Sequence, residues 1–122
     1  MCRYNIYIIL NLRMIMSRDI YHLINRLRTF NIERNWDKDH NPKDLILALV
    51  GEVGELAECY QWMNNSQIDL LNKDSYKKKK IEDEIADVII YLMILAYKSD
   101  IDLLKVVEEK IEKNEKRFPV EK

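Results

Sequence analysis

The chain contains only two glycines and two prolines in its 122 residues. Average usage, about 7% glycine and 5% proline, would supply roughly eight or nine of the first and six of the second. Sandwiches, barrels and collagen-like sequences use both residues heavily at turns or in repeats, so a chain this poor in turn-formers is none of these. What remains, 34% charged and 48% hydrophobic residues, is the mixture of amphipathic helices around a shared core. The expected fold class is all-α. Both glycines, Gly51 and Gly54, fall within four residues of each other in a segment that otherwise reads as helix, and that placement needs a reason.

Charge narrows the function classes. With 20 basic and 21 acidic residues the net charge is −1, without the basic excess of a dedicated nucleic-acid binder. Cys2 and Cys59 sit far apart without metal-ligand spacing, so neither a disulfide framework nor a zinc knuckle is expected. Cys59 reads as a small buried hydrophobe, and a reducing, cytoplasmic compartment fits. The longest nearly uncharged run, residues 85–97, has 13 residues, short of the roughly 20 needed to span a bilayer. No membrane partner is expected. The opening MCRYNIYIILNLRMIM carries two charges, but its apolar core at 6–10 is too short for a signal peptide and no small-residue cleavage site follows. Residues 1–16 are expected to be an N-terminal extension, with Met14 and Met16 as alternative starts and Ser17 as a helix N-cap. The domain is then 17–119, and 120–122 a tail.

Four helices are expected. In the first, 18–33, Ile20, Leu23, Ile24, Leu27 and Phe30 recur with helical period. A polar stretch at 34–41 carries Trp36 and His40. Asn41-Pro42 is a start signal, an N-cap side chain followed by a proline at the first helical position, so the second helix runs 42–63 and stops at Asn64-Asn65-Ser66. After a loop of about ten residues the third helix runs 75–98. Asp100 is expected to cap the fourth, 101–117, whose inner stripe is Leu103, Leu104, Val107 and Ile111, with Pro119 beyond its end. Short loops make such helices antiparallel neighbours in a four-helix arrangement. The third helix is apolar around nearly its whole circumference, which predicts cover from another subunit.

Glu52, Glu55 and Glu58 recur at three-residue intervals, about 60° apart around a helix and roughly 4.5 Å along it. An exposed acidic stripe is the ordinary reading of such a pattern. The glycines argue against it: each costs about 1 kcal/mol in a helix interior, and losing two Cβ atoms beside the carboxylates predicts close approach by another helix. The third helix repeats the spacing with Glu84 and Asp87. Asp87 is the only charge in residues 85–97, and a half-buried carboxylate needs a cation. Two such pairs on facing helices place four carboxylates around one point. Oxygen-only ligands suit hard cations such as Mg²⁺, which works through carboxylates, waters and substrate phosphates. A di-iron bundle would need histidines three residues after glutamates, and neither His22 nor His40 is so placed.

ExxE followed by ExxD, here Glu52-x-x-Glu55 and Glu84-x-x-Asp87 with 28 residues between, resembles the all-α NTP pyrophosphohydrolases of the MazG-like superfamily. ERNW at 33–36, His40-Asn41-Pro42, LALVGEVGELAE at 47–58, Gln61-Trp62, EIADVIIYL at 84–92 and the closing Lys-Arg-Phe-Pro are similar to the dCTP pyrophosphatase subgroup. The resemblance covers roughly 30–119.

That resemblance implies a four-helix bundle assembled as a homodimer or homotetramer. Its activity would be hydrolysis of a nucleoside triphosphate at the α-phosphate to the monophosphate and pyrophosphate. dCTP or a modified dCTP would be the substrate, for nucleotide-pool sanitation. It further implies Mg²⁺ held by Glu52, Glu55, Glu84 and Asp87, with Glu55 or Glu58 taking the proton from the attacking water. Trp36 and Trp62 would be the aromatic walls of a base pocket, with His40 and Tyr91 at its polar edge. Lys110, Asn114 and Arg117, at i, i+4 and i+7 of the last helix, would contact phosphates, although cations near a helix C-terminus also favour its dipole. Members of the subgroup carry a histidine nine residues before the tryptophan that Trp36 matches; here that position is Leu27. The alternatives are a dUTP or broad-specificity NTP hydrolase and a non-catalytic helical interaction module whose acidic strip pairs with a basic partner.

Overall fold

The structure, a computed structural model, describes residues 19–121. Along these run α1 (Ile20–Glu33), a 3₁₀ turn (Asp37–Asp39), α2 (Pro42–Tyr60), α3 (Asn65–Asp69), a second 3₁₀ turn (Leu71–Lys73), α4 (Ser75–Lys98) and α5 (Leu103–Arg117), with no strand. The fold is all-α. Residues 1–16 and the expected cap Ser17 lie outside the described residues.

Polar side chains start the helices. The Asp19 carboxylate accepts from the His22 N–H at 2.9 Å and caps α1. Asn41 accepts from the Asp44 N–H at 3.0 Å, with Pro42 behind it at the first helical position. Asp74 does the same for α4 through the Lys77 N–H at 3.0 Å. Each bond satisfies one of the orphan donors that every helix leaves at its start.

Three expected boundaries are corrected. Helix α2 ends at Tyr60 rather than 63, because the Met63 N–H turns back to the Tyr60 carbonyl at 2.8 Å. Asn64 does not end it but starts α3: its side chain accepts from the Gln67 N–H at 2.9 Å, while Gln67 Oε1 accepts from the Asn64 N–H at 3.0 Å. The expected ten-residue loop is therefore a short helix and a 3₁₀ turn. Asp100 closes α4 instead of capping α5. It is left-handed, with φ 54°; its N–H reaches the Tyr97 carbonyl at 3.4 Å, and the Ile101 N–H reaches that of Ala96 at 2.9 Å. This is the Schellman closure. Asn35, with φ 57°, closes α1 in the same way, through Trp36 N–H to Asn31 O at 2.9 Å and Asn35 N–H to Ile32 O at 3.0 Å.

The described residues form two compact units, one of Asp39–Leu103 and the other of those up to Lys38 and from Leu104 on. In the first, α2 packs along α4, and Leu45, Ile81, Met93, Ile94 and Ala96 are buried. Helix α4 buries only part of its apolar circumference, leaving Ile85 and Ile89 exposed. Cys59 is half-buried and donates to the Glu55 carbonyl at 3.4 Å. In the second unit, Ile24 and Asn31 are buried on α1. The predicted inner stripe of the last helix holds only at its start: Leu103 and Leu104 are half-buried, whereas Val107 and Ile111 are exposed. Nothing among the described residues covers that side of α5.

Candidate functional site

Helix α2 turns one side toward α4. Leu45, Glu52, Leu56 and Cys59 are buried or half-buried, and Leu47, Val50, Gly51, Gly54 and Glu58 are exposed on the other side. A glutamate therefore sits in the packed seam of two otherwise apolar helices. Glu84 comes to it from α4, and Glu55 lies at the exposed border of the seam.

One oxygen from each of Glu52, Glu55 and Glu84 falls within 4.8 Å of the others. Among the described residues no other group of three His, Cys, Asp or Glu side chains converges in this way. Asp87, one turn further along α4 and half-buried, lies outside this set but close enough for its charge to act on Glu52 and Glu84. Glu58 is outside it too.

The electrostatics follow from that crowding. Burial, a hydrogen bond to Glu55 and repulsion from Glu55, Asp87 and Glu84 hold the Glu52 carboxyl above the ordinary carboxylate value of 4.5. The Glu84 carboxyl is also raised above 4.5, by burial and then by the charge and hydrogen bond of Glu55 and the charge of Asp87; a hydrogen bond from Glu52 opposes this. Like charges this close favour a shared proton or a cation. One buried oxygen of Glu52 and one of Glu84, both Oε2, have no hydrogen-bond partner. Buried polar atoms are seldom left so. Three converging carboxylates, two of them with orphaned oxygens, form a donor set that suits a hard divalent cation.

The glycine expectation is corrected. A Cβ built on Gly51 or Gly54 would meet nothing within 4 Å, so neither glycine serves an approach by another helix of the described chain. Within the cluster, Glu52 is on the packed side of α2, whereas Glu55 is exposed one turn after Gly51.

The other predicted residues are distributed over both units. His40 is half-buried, and its Nδ1 is buried without a hydrogen-bond partner; no sequence pattern distinguishes it from a solvated loop histidine. Tyr91 is half-buried on α4 one turn after Asp87, and Trp62, just past α2, is 86% exposed. Trp36 belongs to the other unit, where its ring meets Phe30 edge-on at 5.8 Å and the Arg34 guanidinium lies 3.6 Å over the Phe30 ring. Lys110, Asn114 and Arg117 are exposed on α5 of that unit. The Arg117 guanidinium lies 5.1 Å from the Phe118 ring, and the Asn114 carbonyl accepts from the Phe118 N–H at 2.8 Å.

Comparison with known proteins identifies relatives of this chain. The model of the MazG-like family matches residues 48–122. dCTP pyrophosphatase 1 of Rattus norvegicus is 41% identical over 91 residues, covering 75% of this chain and 54% of that protein. The Homo sapiens dCTP pyrophosphatase 1 is 40% identical over 90 residues, covering 74% and 53%. The chain thus spans about half the length of the curated relatives it matches. Among solved structures, a pyrophosphatase from Archaeoglobus fulgidus DSM 4304 superposes with a TM-score of 0.74 at 38% identity, covering 83% of this chain and 93% of that one.

Proposed function

The chain belongs to the MazG-like family, and from that premise we propose that it is a Mg²⁺-dependent nucleoside triphosphate pyrophosphohydrolase acting on dCTP or a modified dCTP. The products are dCMP and pyrophosphate, and the role is sanitation of the cytoplasmic nucleotide pool by a homodimer or homotetramer. One observation carries the reading: the convergence of Glu52, Glu55 and Glu84, with two orphaned buried oxygens, on a chain about 40% identical to dCTP pyrophosphatases.

Glu52, Glu55, Glu84 and Asp87 would hold the metal. When bound, it supplies positive charge against the triphosphate oxygens and lowers the pKa of an attacking water. The remaining work belongs to the chain. Glu55 is the exposed member of the cluster, so it is the group we assign to take the proton from the attacking water; Glu58, outside the cluster, is the less suitable of the two candidates. Trp62 offers an uncovered ring for stacking on a base, and Trp36 is the second aromatic wall in this reading. The unpaired His40 Nδ1 and the Tyr91 hydroxyl supply polar groups for the base edge. Lys110, Asn114 and Arg117 are assigned to the phosphates.

The test is a substrate panel. Purified protein with Mg²⁺ is given each canonical dNTP, dUTP and 5-modified dCTP, and monophosphate and pyrophosphate are scored. The reading expects dCTP or its 5-modified form to have the highest kcat/KM. Preference for dUTP, or equal use of all nucleotides, replaces it with the broader hydrolase. Release of neither product from any nucleotide leaves the non-catalytic helical module.

A further inference from the structure

The two glycines of α2 have no neighbour within 4 Å of a built Cβ, and the helix surface around them carries Leu47 and Val50 on one turn and Glu55 and Glu58 on the next. Leu47 and Val50 are 61% and 63% exposed, on the same face as Gly51, Gly54, Lys43 and Glu58. Neither the Lys43 nor the Glu58 side chain forms an ion pair within the described chain. Two helix-interior glycines together cost about 2 kcal/mol relative to alanine, and the single chain gives nothing back for them.

The pattern on this face is self-complementary. Two copies of α2 crossing antiparallel about a two-fold axis between Val50 and Gly51 place Val50 opposite Gly51 and Leu47 opposite Gly54. Lys43 then opposes Glu58 at each end. An isologous contact has this property: if one residue meets another, the second meets the first in turn. Each large side chain enters the gap that a missing Cβ leaves, and each end carries opposite charges. A slide of four residues destroys the match, putting Gly51 on Gly54 and Leu47 on Glu58.

We infer that the Lys43–Glu58 face of α2 is the seam through which two copies of this chain pair, antiparallel, with Leu47 and Val50 of each copy seated on Gly54 and Gly51 of the other. Glu52 is on the packed side of α2, away from this seam, and Glu55, one turn after Gly51, lies at the seam's border. This inference gives the proposed oligomer a contact surface, and it holds whether or not the protein is a hydrolase. It also gives Glu58 an interfacial place in preference to a role at the cluster.

Sedimentation equilibrium of the full chain tests it, with far-UV circular dichroism as the check on folding. The wild type is expected to have twice its 14.7 kDa chain mass or a larger even multiple. Lys43→Glu and Glu58→Lys should each weaken association about tenfold, because two attractive end pairs become repulsive. The double variant should return to within about threefold of wild type. Gly54→Leu should lose pairing while keeping its helix content, since leucine is the better helix former. A monomeric wild type at 100 µM, a double charge reversal no tighter than the singles, or Gly54→Leu pairing like wild type would each overturn the inference.

Discussion

Asn35 and Asp100 take the left-handed positions that close α1 and α4, places that glycine fills at least strain. The chain's scarcity of glycine therefore has a local consequence, and Asn and Asp are the residue types that tolerate it. Asp100→Ala is expected to lower stability by about 1 kcal/mol, whereas Asp100→Gly should be neutral or raise it by up to about 1 kcal/mol; urea denaturation separates the two. Glu52 poses the opposite problem, a side chain kept where its charge is disfavoured. Glu52→Gln removes a like charge from the cluster, so it should raise the thermal midpoint of the metal-free protein. It should also cut activity by more than the ten- to hundredfold expected for even an outer-shell metal partner. A Glu52→Gln variant that is both less stable and fully active would contradict this account. The residues of the cluster were legible because their i, i+3 spacing fixes a shared helix side. His40 Nδ1 was not, since burial of one ring atom leaves no trace in the sequence.

At the scale of elements, the long helices are readable and their ends are not. Helix α4 occupies the expected residues because its caps and apolar run agree. Helix α3 is five residues long, too short for any period to show, and only its Asn64/Gln67 capping pair marks it. Asn64→Ala should cost about 1 kcal/mol by loss of that cap, measured by chemical denaturation, with the effect confined to the link between α2 and α4. The α2–α4 seam also sets a pH dependence. Glu52 and Glu84 titrate above 4.5 in the folded state, so folded protein holds protons there more tightly than unfolded chain does. Their contribution to stability is then complete below about pH 4.5 and is lost as pH rises through the raised values. Metal-free protein should show this loss in melts over a pH series, and Mg²⁺ should reverse it by taking the protons' place. A Mg²⁺-induced stabilisation that is larger at pH 5 than at pH 8 would contradict the sign.

For the whole molecule, helix content and charge balance were legible from composition, and among the described residues no helix is long and apolar enough to cross a membrane. What composition could not supply was the use of the glycines. The sequence places them beside the carboxylates, but the structure shows open space around both, while Glu52 of the metal-suited cluster is on the packed side of the same helix. On the pairing inferred above, part of the apolar surface left exposed on α2 is buried by a second copy and adds to the fold's stability. The thermal midpoint should therefore rise with protein concentration. The central claim is that the carboxylate cluster directs water at the α-phosphate. Hydrolysis of dCTP in ¹⁸O-labelled water with Mg²⁺, run beside Glu52→Gln and read by mass spectrometry, tests it most directly. The account predicts the label in dCMP, unlabelled pyrophosphate, and neither product at a comparable rate from the variant. Label in pyrophosphate, release of orthophosphate, or an undiminished rate from Glu52→Gln would contradict it.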